Sequence, residues 1–400
     1  MNVVYLTSVH PDWDVRIWKM ATSVALRGVN VTLVCPWDVP EQRREGVLMR
    51  PFERAKSIHE RLWAVRRRIK AVLADLPLKD TLLHFHDPDL LLMANWMSQH
   101  APVVYDVHEN FHEEIRTRPY VPPAIRDPAA IMVDIVERAL AGNCDGIICV
   151  VPNQLERFLT LGKPVGLVRN FASANLLRDS DPSDYCGREP IIGFSGAHYE
   201  SNGSLVVLEA AARVLSRWPK ARFEVGNRFA DDGIRERFMG EIQRLQLADV
   251  VRVVPNVPAT DIMIRLNRWR VGLSPNLDTS KQRKVLPTKV FEYMAAGLPV
   301  VASRLPELES LVGIGDGVEF VTPGDSVAVA DAVVALLEQP SRARAMGLAA
   351  RRAFRERLTW EGQLEELLRL YRRLLSAESS PVRSWRRLGQ RSMAGASRAK

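Results

Sequence analysis

Along the first 170 residues, short apolar runs alternate with stretches whose apolar positions recur every three or four residues. NVVYL (2–6), VNVTLVC (29–35), TLLHFH (81–86), APVVYDVH (101–108) and DGIICVV (145–151) are too uniformly apolar to leave one face in water, so they predict strands covered on both sides, and KPVGLVRN (163–170) then leads into a polar stretch. Between the first two, IWKMATSVALRG keeps helical spacing and ends at Gly28. Strand–helix–strand units of this kind predict parallel pairing with helices on both faces. After a polar stretch rich in Ser and Asp the pattern restarts with PIIGFSG and the helical SLVVLEAAARVLSRWP. ARFEVG, DVVRVVP, RVGLSP, LPVVAS and VEFVTP follow, with helices between them, and the amphipathic TWEGQLEELLRLYRRLL closes the pattern. The expected fold class is α/β, with two doubly wound domains facing a cleft. The expected boundaries are a first domain over 1–171, a linker over 172–189, a second domain over 190–360, a closing helix over 361–376 and a basic, disordered tail over 377–400.

A chain of 400 residues exceeds one ordinary core, which supports the division in two. Its hydrophobic share of 46% and charged share of 26% are those of a soluble globular protein. Cys35, Cys144, Cys149 and Cys186 show no C-x-x-C or metal spacing, which predicts free thiols in a reducing compartment. No run approaches the roughly 20 apolar residues of a membrane span, and the start of the chain enters a strand without a signal-peptide charge pattern. A cytoplasmic location is expected.

The net charge of +8 is uneven. Segment Ile58–Lys70 sets Leu62, Val65 and Ile69 on one helical stripe, with Trp63, Arg61, Arg66, Arg67, Arg68 and Lys70 around it. The last twenty residues contain no acid and include Trp385. A solvated helix face and a loose tail explain this, and so does docking on an anionic membrane surface. No recognition motif accompanies the charge, so nucleic acid is not an expected partner.

The stretch VLPTKVFEYMAAGLPVVAS, Val285–Ser303, carries the most chemistry. Pro287 and Thr288 suit a helix start, Gly297 an αL stop, and Pro299 forbids continuation. Lys289 and Glu292 then share one helix face at the carboxyl edge of the sheet, where doubly wound folds bind ligands. Helix-end amides and a Lys favour phosphate oxygens, whereas a carboxylate accepts hydrogen bonds from sugar hydroxyls. A nucleotide offers both; an i,i+3 surface salt bridge is the alternative reading. HFHDPD, with His84, His86, Asp87 and Asp89, could hold a metal or a nucleotide sugar, although its place after an early strand favours loop and cleft roles. No G-x-G-x-x-G, P-loop or G-x-S-x-G elbow is present.

PTKVFEYMAAGLPVVAS resembles the donor-site motif of family-four, retaining glycosyltransferases of the GT-B fold. SVHPDWDVRIWKMATSVALRGVNVTLV, HFHDPDLL, VYDVHENFHEE, IIGFSG and LTWEGQLEELLRLY agree in order, so the resemblance covers nearly all of residues 1–376. It implies two Rossmann-like domains, the first for the acceptor and the second for a nucleotide sugar. Metal-free sugar transfer with no cofactor is implied as well. Glu292 falls on the second Glu of the family's paired motif and would hold the ribose. Lys289 would lie near the diphosphate, with the backbone of Leu286, Pro287, Thr288 and the small-residue loop at Gly196. His108 matches the family's histidine near the transferred sugar. Asp14 and Arg16 would face the cleft as further catalytic candidates, and Glu109 and Glu113 would touch the acceptor. The first motif Glu corresponds to Lys284, and the family's usual basic pair to Ala197 and Asn202. Lys281, Arg283 and Lys284, or Arg228, would then supply the missing charge. The expected function is transfer to a glycan or lipid-linked acceptor in polysaccharide or cell-envelope synthesis. A donor-site-degenerate binding protein and a nucleotide-sugar epimerase stand as alternatives.

Overall fold

The computed structural model describes residues 1–378 except 12–13, 38–39, 119–120, 184, 256 and 258–260. The expected tail therefore lies, from residue 379, outside the described residues. The chain forms two compact units: Met1–Arg169 together with the chain from Gln363, and Asn170–Gly362.

The first unit is built on an eight-stranded sheet in the order β3-β4-β2-β1-β5-β6-β7-β8. Its strands are β1 (Asn2–Leu6), β2 (Asn30–Pro36), β3 (Gln42–Arg44), β4 (Val47–Phe52), β5 (Thr81–Phe85), β6 (Val103–Val107), β7 (Gly146–Cys149) and β8 (Val165–Leu167). All pairs are parallel except β3 with β4. That hairpin was not legible as strand–turn–strand. Its two-residue turn is Glu45-Gly46, both at positive φ, where Asn-Gly is the usual signal. β5 and β6 are buried at every position, which explains their unbroken apolar runs. The expected helix over Ile58–Lys70 forms with a π turn at Arg61–Val65, and Val65, at its end, is buried with Ile69 and Leu73 at helical spacing.

The second unit carries a six-stranded, wholly parallel sheet in the order β11-β10-β9-β12-β13-β14. Its strands are β9 (Ile191–Phe194), β10 (Arg222–Gly226), β11 (Val251–Val254), β12 (Val271–Ser274), β13 (Val300–Ser303) and β14 (Val318–Val321). Residues 172–189, expected as a linker, instead belong to this unit. Tyr185 is buried with its hydroxyl donating to the Arg270 carbonyl at 2.6 Å, and Arg188 donates to the Trp269 carbonyl at 3.1 Å. A polar stretch with one buried aromatic and an arginine paired to backbone makes a packed edge rather than a tether.

The closing helix Trp360–Glu378 joins the first unit from Gln363 onward. Its Tyr371 is buried, with a hydroxyl 3.0 Å from that of Tyr5 and 2.5 Å from Nδ1 of His84.

Candidate active site

In the second unit the strand order reverses between β9 and β12, so their carboxyl ends flank the crevice where doubly wound sheets bind ligands. The chain leaves β12, makes a 3₁₀ turn at Gln282–Lys284 and enters the helix Thr288–Ala295 after Pro287. Gly297, at φ +68, ends it. Thr288 is exposed; Lys284, Leu286 and Pro287 are half-buried, with Leu286 resting on the core.

Lys289, on the first turn, is buried, and its Nζ has no hydrogen-bond partner among the described residues. It lies 3.9 Å from the centroid of the Phe194 ring at the end of β9. Burial pushes the amine down to about 7, against the opposing pull of Glu292. A buried amine with no hydrogen-bond acceptor among the described residues, at a helix start whose dipole favours negative charge, is suited to an anion. Glu292 is half-buried one turn further on.

Tyr293, one turn on from Lys289, braces the same helix against β9. Its hydroxyl accepts from the Ser195 N–H at 2.8 Å and from Ser195 Oγ at 3.0 Å, fixing the exit of β9. Gly272 makes room for that ring, since a Cβ there would come within 2.5 Å of it. Gly196 follows at φ +99, exposed, with open space where a side chain would stand. Only Gly holds that conformation at no cost while leaving the backbone open to a ligand.

The substitute cations are not equivalent. Arg283 is committed to Asp278 through bonds of 2.5 and 2.7 Å. Arg228 is exposed on the loop after β10, where its carbonyl accepts from the His198 N–H at 2.7 Å. Asn202 donates to the Ala197 carbonyl at 2.8 Å, so the positions of the usual basic pair are occupied by a neutral loop clasp.

In the first unit the reversal falls between β1 and β5. The sequence candidates of this unit are placed as follows. Arg16 is buried and grips Asp106 on β6 through Nε and Nη2, with bonds of 2.8, 2.9 and 3.1 Å. Asp14 caps the helix Val15–Ala25, accepting from the N–H groups of Arg16 and Ile17 at 3.0 Å each, and its other oxygen lies 3.3 Å from Nδ1 of His10. Both its oxygens are in use, which suits positioning rather than proton transfer. Glu113 is buried against Arg116 at 2.9 Å and His112 at 3.3 Å, and only Glu109 is exposed.

His108, following β6, is half-buried and hydrogen-bonds to no described residue. Burial and then the charge of Arg16 push it down to about 4, so it is neutral at neutral pH. His10, which sequence reasoning passed over, has its ring centroid 5.9 Å from that of His108. Its ring nitrogens lie 3.3 Å from Asp14 and 3.3 Å from Asp87. Burial opposes its charge, but these two carboxylates raise it to about 10. The i,i+4 spacing of His10 and Asp14 across a helix start was the available signal.

The carboxylates of HFHDPD hold the loop after β1. Asp87 accepts from Thr7 Oγ1 at 2.7 Å and the Ser8 N–H at 2.6 Å, and Asp89 from Ser8 Oγ at 2.9 Å. His84, His86 and Asp106 offer possible ligand atoms within 4.8 Å of one another, but the carboxylate is already clamped by Arg16.

Two successive parallel α/β units, each with polar groups at its strand reversal, define the GT-B class. Residues 14–173 match the model of glycosyltransferase family 4, and residues 189–339 that of glycosyl transferases group 1. The chain belongs to the family 4, group 1 glycosyltransferases. It is 25% identical to a phosphatidyl-myo-inositol mannosyltransferase of Mycobacterium leprae, over 79% of each chain. It is 29% identical to a D-inositol 3-phosphate glycosyltransferase of Corynebacterium urealyticum over 46% of this chain, a match spanning only 43% of that relative. In fold it is similar to the sucrose-phosphate synthase of Thermosynechococcus elongatus (TM-score 0.75, 19% identity), covering 94% of this chain and all of the other. It is similar also to Anabaena HepE solved with UDP-glucose (TM-score 0.71, 15% identity), with 94% and 100% coverage.

Proposed function

We propose that the protein transfers a sugar, with retention of configuration, from a nucleoside diphosphate sugar to a glycan or lipid-linked acceptor. The observation that carries this reading is the unpartnered Lys289 ammonium at the start of the helix Thr288–Ala295. It would meet the diphosphate, together with the backbone at Leu286, Pro287, Thr288 and Gly196. Glu292 would accept hydrogen bonds from the ribose hydroxyls. The bond from the anomeric carbon to phosphate oxygen breaks, the acceptor oxygen bonds to that carbon on the face the phosphate leaves, and the acceptor's proton passes to the departing phosphate. Neutral His108 would stabilise the sugar's developing charge through a hydrogen bond or its ring dipole.

Diphosphate binding requires the charged form of Lys289. Because the free amine titrates near 7, affinity is expected to be level just below that pH. Above it, affinity should fall by about tenfold per pH unit until the pKa of the complex is reached. Calorimetric titration of UDP and GDP across pH 6–9 checks this, and flat binding through that range would contradict it.

Among the described residues no helix is long and apolar enough to cross a membrane. We propose peripheral attachment to an anionic membrane, a reading supported by relatives named for phosphatidyl-myo-inositol. Trp63 is 63% exposed, with the Arg66 guanidinium 5.0 Å from its ring centroid, and Arg67 is exposed. Arg68 is tied to Glu53 at 2.7 Å and Glu60 at 2.8 Å, so Arg66 and Arg67 are the cations to test. The helix Arg126–Ala141 also exposes Ile131, Met132, Ile135 and Val136. At about 1 kcal/mol per basic residue, Arg66→Ala/Arg67→Ala is expected to weaken binding to anionic vesicles roughly 30-fold. Equal flotation of both proteins would exclude these arginines as the contact.

A further inference from the structure

Five neutral side chains join the loops at the carboxyl ends of β9 and β12. Ser274 Oγ donates to Asn276 Oδ1 at 3.0 Å, and Asn276 Nδ2 to Gln282 Oε1 at 2.7 Å. Gln282 Nε2 then donates to Ser201 Oγ at 3.1 Å and Asn202 Oδ1 at 2.9 Å, while Asn202 Nδ2 reaches the Ala197 carbonyl. Ser274, Asn276 and Gln282 are buried, so each amide is spent on protein partners. The backbone runs parallel to this chain, the Leu277 N–H donating to the Ser201 carbonyl at 2.8 Å. Gly203 allows the close approach: a Cβ there would stand 1.8 Å from the Pro275 carbonyl oxygen. By contrast, the N–H groups of Gly196 and Ala197 donate to no described residue.

We propose that Gln282 is a positioning residue for the donor: it holds the Gly196–Ala197 turn in register with the segment that delivers Lys289. The diphosphate is then received by preset backbone N–H groups and one buried cation, in place of a pair of surface cations. The inference rests on the donor-binding role given to Lys289 above. Its chemistry is economical, because a closed neutral chain fixes the loop before ligand arrives and leaves only the ligand's charge to be matched. Gln282 touches no phosphate itself. A Glu there keeps the bond from Asn276 but confronts Asn202 Oδ1 with a second oxygen; turning the amide to meet it would break the bond to Ala197.

The test is calorimetric titration of the full chain with UDP, GDP, ADP, CDP and TDP, alongside thermal unfolding without ligand. Donor KM and kcat are measured for the same proteins. Gln282→Ala, Gln282→Glu and Asn202→Ala are each expected to raise the dissociation constant of the binding nucleotide about tenfold, one lost preset loop contact. The rise should appear in KM rather than kcat, and Gln282→Ala/Asn202→Ala should lose little more than either alone. Asn202 is only half-buried, so its replacement keeps the test open if Gln282→Ala folds poorly. Unchanged affinity in Asn202→Ala and Gln282→Glu, with only a lowered Tm, would overturn the inference and leave a strut. Wild type binding none of the five nucleotides would overturn both this inference and the donor reading.

Discussion

Replacing Lys289 by Met is expected to remove most donor affinity and to leave the ligand-free protein at least as stable. The two effects have opposite signs because they share one cause. In the free protein the Nζ is buried beside the Phe194 ring with no hydrogen-bond acceptor among the described residues, and an unsatisfied buried donor costs about 1–3 kcal/mol. The cation–π contact returns part of that, about 0.5–2 kcal/mol. A Met side chain is similar in length and apolar, so urea unfolding should show a gain of up to about 1 kcal/mol. With donor present, the ammonium–phosphate bond is worth about 1.5–3 kcal/mol, and its loss weakens binding about 10- to 150-fold. Calorimetry and urea titration on the two proteins decide the matter. A destabilised variant with full affinity would make Lys289 a structural residue.

Arg16→Ala is expected to cost about 3–5 kcal/mol of stability, a large share of the 5–15 kcal/mol that holds a domain together. The Asp106 carboxylate, fully buried on β6, would lose its bidentate partner and keep only His84 and His86 nearby, at 3.6 and 3.2 Å. Burial works to raise that carboxyl, but Arg16 and the two histidines hold it well below the usual range. Its stabilising contribution is therefore present above the unfolded carboxyl value near 3.9 and is lost only as pH falls through its lower folded value. Urea midpoints at pH 7 measure the effect. A soluble Arg16→Ala protein of wild-type stability and no activity would restore Arg16 as a ligand contact.

The comparison of Arg16 with Lys289 shows what was legible in the chain. Both stand near the start of a helix after a sheet strand, and both were read as facing ligand. Periodicity placed the two helices, because buried positions recur at helical spacing whatever surrounds them. It could not say that an aspartate 90 residues away on β6 would meet one cation while none would meet the other. The strands, their parallel pairing and the restart near residue 190 followed from local pattern. The β3–β4 hairpin did not, since Glu45-Gly46 departs from the usual turn pair. Residues 172–189 looked like a linker because composition records polarity but not the tertiary partners of Tyr185 and Arg188, which help anchor them. His10 and Gln282 were missed for a related reason: each gains meaning only from partners brought in by tertiary structure, Asp87 for one and Asn202 for the other.

Binding of a nucleoside diphosphate by the second unit at Lys289 and Glu292 is tested most directly by thermal unfolding of the wild-type chain with UDP, GDP, ADP, CDP and TDP in turn, with Glu292→Ala beside it. Ligand at about 100 times its dissociation constant adds roughly 2.7 kcal/mol, a shift of several degrees in Tm for a domain of this size. One nucleotide raising the wild-type Tm by that amount, and that of Glu292→Ala by clearly less, is the predicted result. No shift with any of the five, or an equal shift in both proteins, would contradict it.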